Sequence, residues 1–473
     1  MRDKSADASS NLPVLGPQEP RLRRRRWIWV VAMLVGVSVF LGVAGRRDAS
    51  ETTRRLAQLR AEGLPTTPAE LDRWYAAVPA DENIAIPLLD AVTSLRLPAN
   101  TDTNLPFVGH AATPPRGQAL AEPVRSRMVA LVADNRESLE GIHAALQRPR
   151  VRFPVNLSAG ANTLLPHLPS LKRSAQALAL EALLAADQGN SDRASRALLD
   201  GLRVGQTLRH DPVLISGLVG LACETMTTGA AEHVLSRGIL SDSQLRELQS
   251  AFHRAATNQN FYASIVGEIC MADQIRHMSA SNAVAWFGAS AGTSMSEVIG
   301  TARLWMYVAM GMNRRDYGVA LAVLDDLRLN ARRPFPERLR GAETISEATQ
   351  RRLSANYLPL ASGMIAGEAS TAAKDARSTA ILEAAAVACA VERFRLVHTN
   401  RLPESLDSIV PEFLPVIPPD PMDGQPLRYR PLTNGYVVYS IGEDNHDSDG
   451  IEFSRRQKGQ RRSDWDYTFT VER

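Results

Sequence analysis

Between Tyr439 and Gly450 the chain reads Tyr-Ser-Ile-Gly-Glu-Asp-Asn-His-Asp-Ser-Asp-Gly, with five acidic or amide side chains in seven residues. Hard cations take about six to eight oxygen ligands. Asp444, Asn445, Asp447 and Asp449 offer such oxygens, with backbone carbonyls beside them. The same residues suit a solvated turn, in which short polar side chains cap their own backbone. Asn445-x-Asp447-x-Asp449-Gly450 matches the opening of an EF-hand loop. The closing position of that loop needs a bidentate glutamate and here holds Arg456, so an EF-hand is excluded. His446 has no neighbouring histidine with which to hold a transition metal.

Other stretches carry chemistry-bearing residues with weaker patterns. Gly288-Ala-Ser290-Ala-Gly292 matches a nucleophile elbow, and Ser290 would be the nucleophile of a hydrolase. That motif works on a strand-to-helix turn of an α/β sheet, and the residues before it make a poor buried strand. Cys270, Asp273 and His277 share one helical face, a weak metal pattern; an Asp273–His277 ion pair on a helix surface accounts for it more simply. Trp286, Phe287, Met295, Trp305, Met306, Tyr307, Met310 and Met312 concentrate aromatic and thioether groups in a chain only 5% aromatic. They read as core, or as a groove for a peptide or the membrane surface. The three cysteines, Cys223, Cys270 and Cys389, are far apart in apolar helical patterns. They exclude a disulfide framework and read as small buried hydrophobes. No phosphate loop, zinc-protease or dinucleotide motif occurs.

The elements that position these residues begin with a span. Trp27 to Gly45 is 19 residues without a charge, which at about 1.5 Å per residue nearly matches a hydrocarbon core of about 30 Å. Arg21 and Arg23 to Arg26 precede it. The expectation is an uncleaved single transmembrane helix with the N-terminus in the cytoplasm and the bulk in a bacterial periplasm. A cleaved signal peptide is the alternative. Residues 1–26 read as a disordered cytoplasmic tail. A formal net charge of +3 over 473 residues leaves no global field for nucleic acid. The implied partners are the lipid bilayer and another envelope protein.

Residues 46–358 read as an extracytoplasmic helical domain. Thr67-Pro68-Ala-Glu70 and Ser241-Asp-Ser-Gln244 are helix starts. Asn100 to Arg116, interrupted by prolines, reads as a loop. Gly189 to Leu202 resembles the turn and second helix of a tetratricopeptide repeat, without a convincing second copy. A stack of antiparallel helical hairpins, TPR-like or α-solenoid-like, is therefore expected. Residues 359–473 read as a long helix to about His398, then short antiparallel strands at 427–430, 436–439 and 467–471.

This last segment carries a resemblance. Leu402-Pro403, then Asp420-Pro-Met-Asp-Gly-Gln-Pro-Leu-Arg-Tyr-Arg430, then Gly435 to Gly450 are similar to the C-terminal domain of type II secretion major pseudopilins. The resemblance implies a small α+β module with a short antiparallel sheet. It also implies calcium at Asp444, Asn445, Asp447 and Asp449. A pseudopilin carries its membrane helix directly before this domain, whereas here the apolar span lies more than 300 residues upstream and no peptidase site precedes it. The fold class is thus mainly α with a pseudopilin-like tail. The function expected is a membrane-anchored scaffold or interaction protein, not an enzyme, with an extracytoplasmic hydrolase using Ser290 as the alternative.

Overall fold

A computed structural model describes residues 49–98, 105–109, 111–257, 261–286, 295–365, 370–452 and 465–473 of the chain. The expected span at 27–45, the tail before it and the Ser290 motif lie outside the described residues. The contacts divide the chain into residues 1–54 and 55–473. Of the first unit, residues 49–54 are helical.

The second unit is mainly helical. The run of helix called α1 ends at residue 61. α2 (Pro68–Trp74), α3 (Ala85–Thr93), α4 (Glu122–Asp134) and α5 (Arg136–Ala145) lead into three long helices. These are α6 (His167–Asp187), α7 (Ser191–Leu208) and α8 (Leu214–Arg237), which pack against one another. α9 (Asp242–Thr257) and α10 (Phe261–His277) follow, then α11 (Ala280–Trp286), α12 (Met295–Ala309), α13 (Asn313–Asn330) and α14 (Glu337–Ala355). Where one helix was expected from Pro359 to about His398, two are described, α15 (Pro359–Ile365) and α16 (Thr371–Val397).

Local chemistry accounts for several boundaries. At α9 the Ser241 hydroxyl accepts from the Gln244 N–H, and Gln244 Oε1 accepts in return from the Ser241 N–H at 2.9 Å. At α2, Thr67 caps the Glu70 N–H, but the Glu70 carboxylate reaches one residue further, to the Thr66 N–H at 2.7 Å. Asn190 caps α7 through the Arg193 N–H at 3.1 Å, which closes the α6–α7 hairpin. α7 and α8 cross at glycines. A Cβ on Gly205 would lie 2.9 Å from the Gly220 carbonyl oxygen, and one on Gly220 would lie 2.8 Å from that of Gly205, so backbone meets backbone there.

α8 is, among the described residues, the one helix long and apolar enough to cross a membrane. In this fold it is a mostly buried core helix with both long neighbours against it. Its charges are inside: Glu224 pairs with buried Arg209, and Glu232 pairs with Arg116 at 2.8 Å. Burial outweighs the arginines and pushes both carboxyls up to about 7.

β1 (Arg428–Leu432), β2 (Gly435–Ser440) and β3 (Tyr467–Glu472) form an antiparallel sheet in that order, with Tyr429 opposite Val438 and Val438 opposite Phe469. α16 packs on the sheet, and the Tyr436 hydroxyl donates to Glu392 at 3.0 Å. β3 is an edge strand, yet α8 covers it: Thr470 N–H donates to Glu232 Oε1 at 2.7 Å and Glu472 N–H to Ser236 Oγ at 3.1 Å. One apolar core joins α6–α9, α16 and the sheet, including Leu198, Phe252, Val387, Tyr436 and Phe469. The segments 46–358 and 359–473 therefore share a core.

Candidate binding groove and the acidic loop

α7 has two working faces. Ala194, Ala197, Leu198 and Leu202 are buried. Arg196, Leu199, Arg203, Gln206 and, just beyond the helix, His210 recur at helical spacing on the side of a groove of about 1100 Å³. The facing wall is α9, through Glu247, Ala251 and Arg254; the ends come from Trp74–Tyr75 and from Gln147–Val151. Apolar Val78, Ile84, Leu199, Leu202 and Ala251 are interleaved with four arginines, Arg150, Arg196, Arg203 and Arg254. Arg150 meets Glu82 at 3.3 Å and Arg196 meets Glu140 at 3.6 Å, both exposed pairs. Arg203 donates to the Arg148 carbonyl at 2.7 Å. Neither Arg203 nor Arg254 meets a carboxylate among the described residues.

Among the described residues two acids line this groove, Glu247 and Asp200, and Asp200 is already occupied. His143 of α5 binds Asp200 through Nδ1 at 2.6 Å and Glu181 of α6 through Nε2 at 3.0 Å. Arg193 closes the cluster on Glu181 at 2.6 Å. All three groups of the His143 triangle are buried. Burial opposes the charge on His143, but the two carboxylates outweigh it and push the imidazole up to about 9. The latch therefore holds an imidazolium, ties α5, α6 and α7, and neutralises the acid at the groove wall.

A second buried latch fixes the groove end. The Tyr75 hydroxyl donates to Asp211 at 2.5 Å, His167 Nε2 meets the same carboxylate at 2.7 Å, and His167 stacks on Phe153 at 4.4 Å. Burial, then the Asp211 charge, raises the Tyr75 phenol well above its usual range. Neither latch was singled out from sequence: the partners of His143 lie 38 and 57 residues away.

The acidic loop lies elsewhere, after β2. Asp444, Asn445, Asp447 and Asp449 are all exposed. Asp444 accepts from the His446 N–H at 3.1 Å and Asp447 from the Asp449 N–H at 2.9 Å. Asn445 and Asp449 sit at φ 55 and 56, the left-handed region that short polar side chains tolerate. Buried Asp466 accepts from the Ser448 N–H at 3.3 Å and the Gly450 N–H at 2.7 Å, closing the loop from beneath. Among the described residues no group of three or more His, Cys, Asp or Glu side chains converges as a cation cage. As arranged, these residues form a self-capped turn.

The Asp-Pro-x-x-Gly block has a clear physical role. Asp420 is fully buried and accepts from Met422 N–H (2.9 Å), Ser440 Oγ (2.7 Å), Ile441 N–H (3.0 Å) and Arg428 Nη1 (2.8 Å). It joins the turn before β1 to the end of β2.

The remaining candidates separate. Cys223, Cys270 and Cys389 are buried thiols. Asp273 is buried and pairs with Arg276 at 2.5 Å; the expected surface pair with His277 gives way to this closer cation. Of the aromatic and methionine group, Tyr307 is core, while Trp286, Trp305, Met306 and Met310 are exposed. The side chains of Phe287 and Met295 lie outside the described residues. Compared with known proteins, the chain matches no family model, no curated protein and no solved structure.

Proposed function

We propose that this protein is a membrane-anchored binding scaffold of the cell envelope, held by residues 27–45, whose helical body takes an extended acidic peptide segment in the α7–α9 groove. The observation that supports this reading is the groove itself. Its volume of about 1100 Å³ stands at the upper end of ordinary small-molecule pockets, about 300–1,000 Å³, and suits a longer ligand. Its apolar positions, Leu199, Leu202 and Ala251, suit side chains of a peptide, and among the described residues Arg203 and Arg254 meet no carboxylate. Guanidinium groups favour carboxylates by charge and by bidentate geometry. The tetratricopeptide likeness of α6–α7 fits such a groove. The pseudopilin likeness of the tail fits the observed sheet, and a type II secretion-related partner belongs to this proposal. So does the location: inner membrane, N-terminus cytoplasmic, bulk periplasmic.

The test is binding of a fluorescent glutamate-rich dodecapeptide to the full chain in detergent. The charge-reversed variant Arg203→Glu with Arg254→Glu should bind at least about tenfold more weakly, and added salt should weaken the native complex. Equal binding of a lysine-rich control peptide, or an unchanged affinity in the variant, overturns the acidic-ligand reading.

Calcium at Asp444, Asn445, Asp447 and Asp449 is kept as a secondary proposal, supported by four exposed oxygen-bearing side chains on one short loop. It requires the loop to open its self-capped turns. At tenfold the dissociation constant, binding to the folded form adds about 1.4 kcal/mol. A calcium-dependent rise in melting temperature of the full chain, lost in Asp447→Ala with Asp449→Ala, would establish the site. Identical melting in chelator and in millimolar calcium leaves the solvated turn.

A further inference from the structure

α12 is apolar on both faces. Leu304, Tyr307 and Val308 are buried in a core cluster with Ala283 of α11 and Tyr317 of α13. On its other side Val298, Ile299, Trp305 and Met306 are 51%, 60%, 56% and 55% exposed, and Met310 just after it is 65% exposed. These positions recur at helical spacing and form one bare stripe. A water-facing helix carries polar residues on that side; one that is apolar all round is ordinarily covered. Nothing of this protein among the described residues covers it.

We propose that this stripe of α12 lies in the headgroup and upper acyl region of the bilayer, on the surface where the chain is anchored. Two observations choose lipid over other occupants. First, the chain enters its second unit in the core cluster that α12 also joins: Leu56 and Leu59 are buried in it with Leu304, Tyr307 and Val308. Nine residues, 46–54, separate Arg55 from the end of the uncharged run at Gly45. With six of those in helix, the reach is on the order of 20 Å, so a span at 27–45 would tether Arg55, where the second unit begins, within that distance of the bilayer. Second, the chemistry fits an interface. Trp305 is an amphipathic ring of the kind that settles at headgroup depth. Exposed Arg303 of α12, stacked 4.1 Å over the Tyr357 ring, and exposed Arg314 at the start of α13 are cations that complement anionic phospholipid. The inference rests on the anchor reading, and the two fail differently.

The native cysteines are buried, so a single added surface thiol labels selectively. Met310→Cys and, as a control on α4, Arg127→Cys would each carry an environment-sensitive fluorophore. The full chain would be reconstituted into vesicles of phosphatidylcholine and phosphatidylglycerol. Lipid-borne nitroxide should quench the probe at 310 at least about fivefold more than the probe at 127, and Ile299→Glu with Trp305→Glu should remove that difference. Equal quenching at both positions, in protein that resists alkaline carbonate extraction, overturns the proposal and leaves the anchor standing. Release by carbonate overturns both. Quenching at 310 by a nitroxide on a second copy of the chain, and not by lipid, overturns it in favour of a dimer face.

Discussion

Replacing His143 by leucine should cost the folded chain about 3–5 kcal/mol, because it leaves two buried carboxylates without their shared cation. Asp200 and Glu181 are 4% and 1% exposed, so water cannot take over the role. The pH dependence distinguishes this from ordinary loss of packing. The His143 pKa is raised from 6.5 to about 9 in the folded state. Its contribution is therefore fully present below pH 6.5 and is lost as the pH rises through 9. Each pH unit between those values is worth about 1.4 kcal/mol, so the native chain should lose roughly 3 kcal/mol there. The Glu224 and Glu232 carboxyls, raised to about 7, lose their contribution over a lower window, from about pH 4.5 to 7. Urea midpoints of the native chain should fall steadily from pH 5 to pH 9. In His143→Leu the fall should stop near pH 7. A variant curve parallel to the native one through pH 9 would show that His143 is not the charged centre of the latch.

Phe469→Ala should have a comparable effect, about 3–5 kcal/mol, and a more telling distribution. Phe469 is completely buried on β3 in the core shared with Leu248, Phe252 and Val387. If sheet and helices unfold together, amide exchange protection should fall in α8, α9 and α16 as much as in β2. Protection retained in α8 and α9 while the sheet loses it would mean that the tail is an independent module after all. The hydrogen bonds from β3 to Glu232 and Ser236 of α8 favour the first outcome.

These two predictions fall on residues of unequal visibility in the sequence. The strands at 428–432, 435–440 and 467–472 and the start of α9 were legible, since turn residues and capping boxes act within a few positions. The latches were not. His143, Glu181 and Asp200 sit on three helices, and no local pattern marks a histidine whose partners arrive through tertiary packing. The groove was hidden for the same reason: Arg203 and Arg254 look like ordinary polar positions on two separate helices until α7 and α9 are set face to face. Gly201, Gly205 and Gly220 mark the close α7–α8 approach, and they were not singled out from sequence. The aromatic and methionine run near α12 was visible as a cluster. Its direction was not, because apolar spacing is the same whether a stripe meets core or is left bare.

The glutamates of α8 also bear on how such a chain is delivered. A chain passing unfolded through a translocation channel presents each apolar stretch to the lipid in turn. α8 has the length and hydropathy of a membrane span. Glu224 stands near its middle and Glu232 two turns later, and a charged residue at a helix centre opposes insertion by about 2.5–3.5 kcal/mol. On the export route that the proposed envelope location implies, the two acids would oppose lateral exit of α8 while the chain is still extended; in the folded chain they grip Arg209 and Arg116. A neutral α8 would leave Arg209, Arg116 and the Thr470 N–H without these carboxylates, and, inserted as a span, it would put the residues before and after it on opposite sides of a membrane.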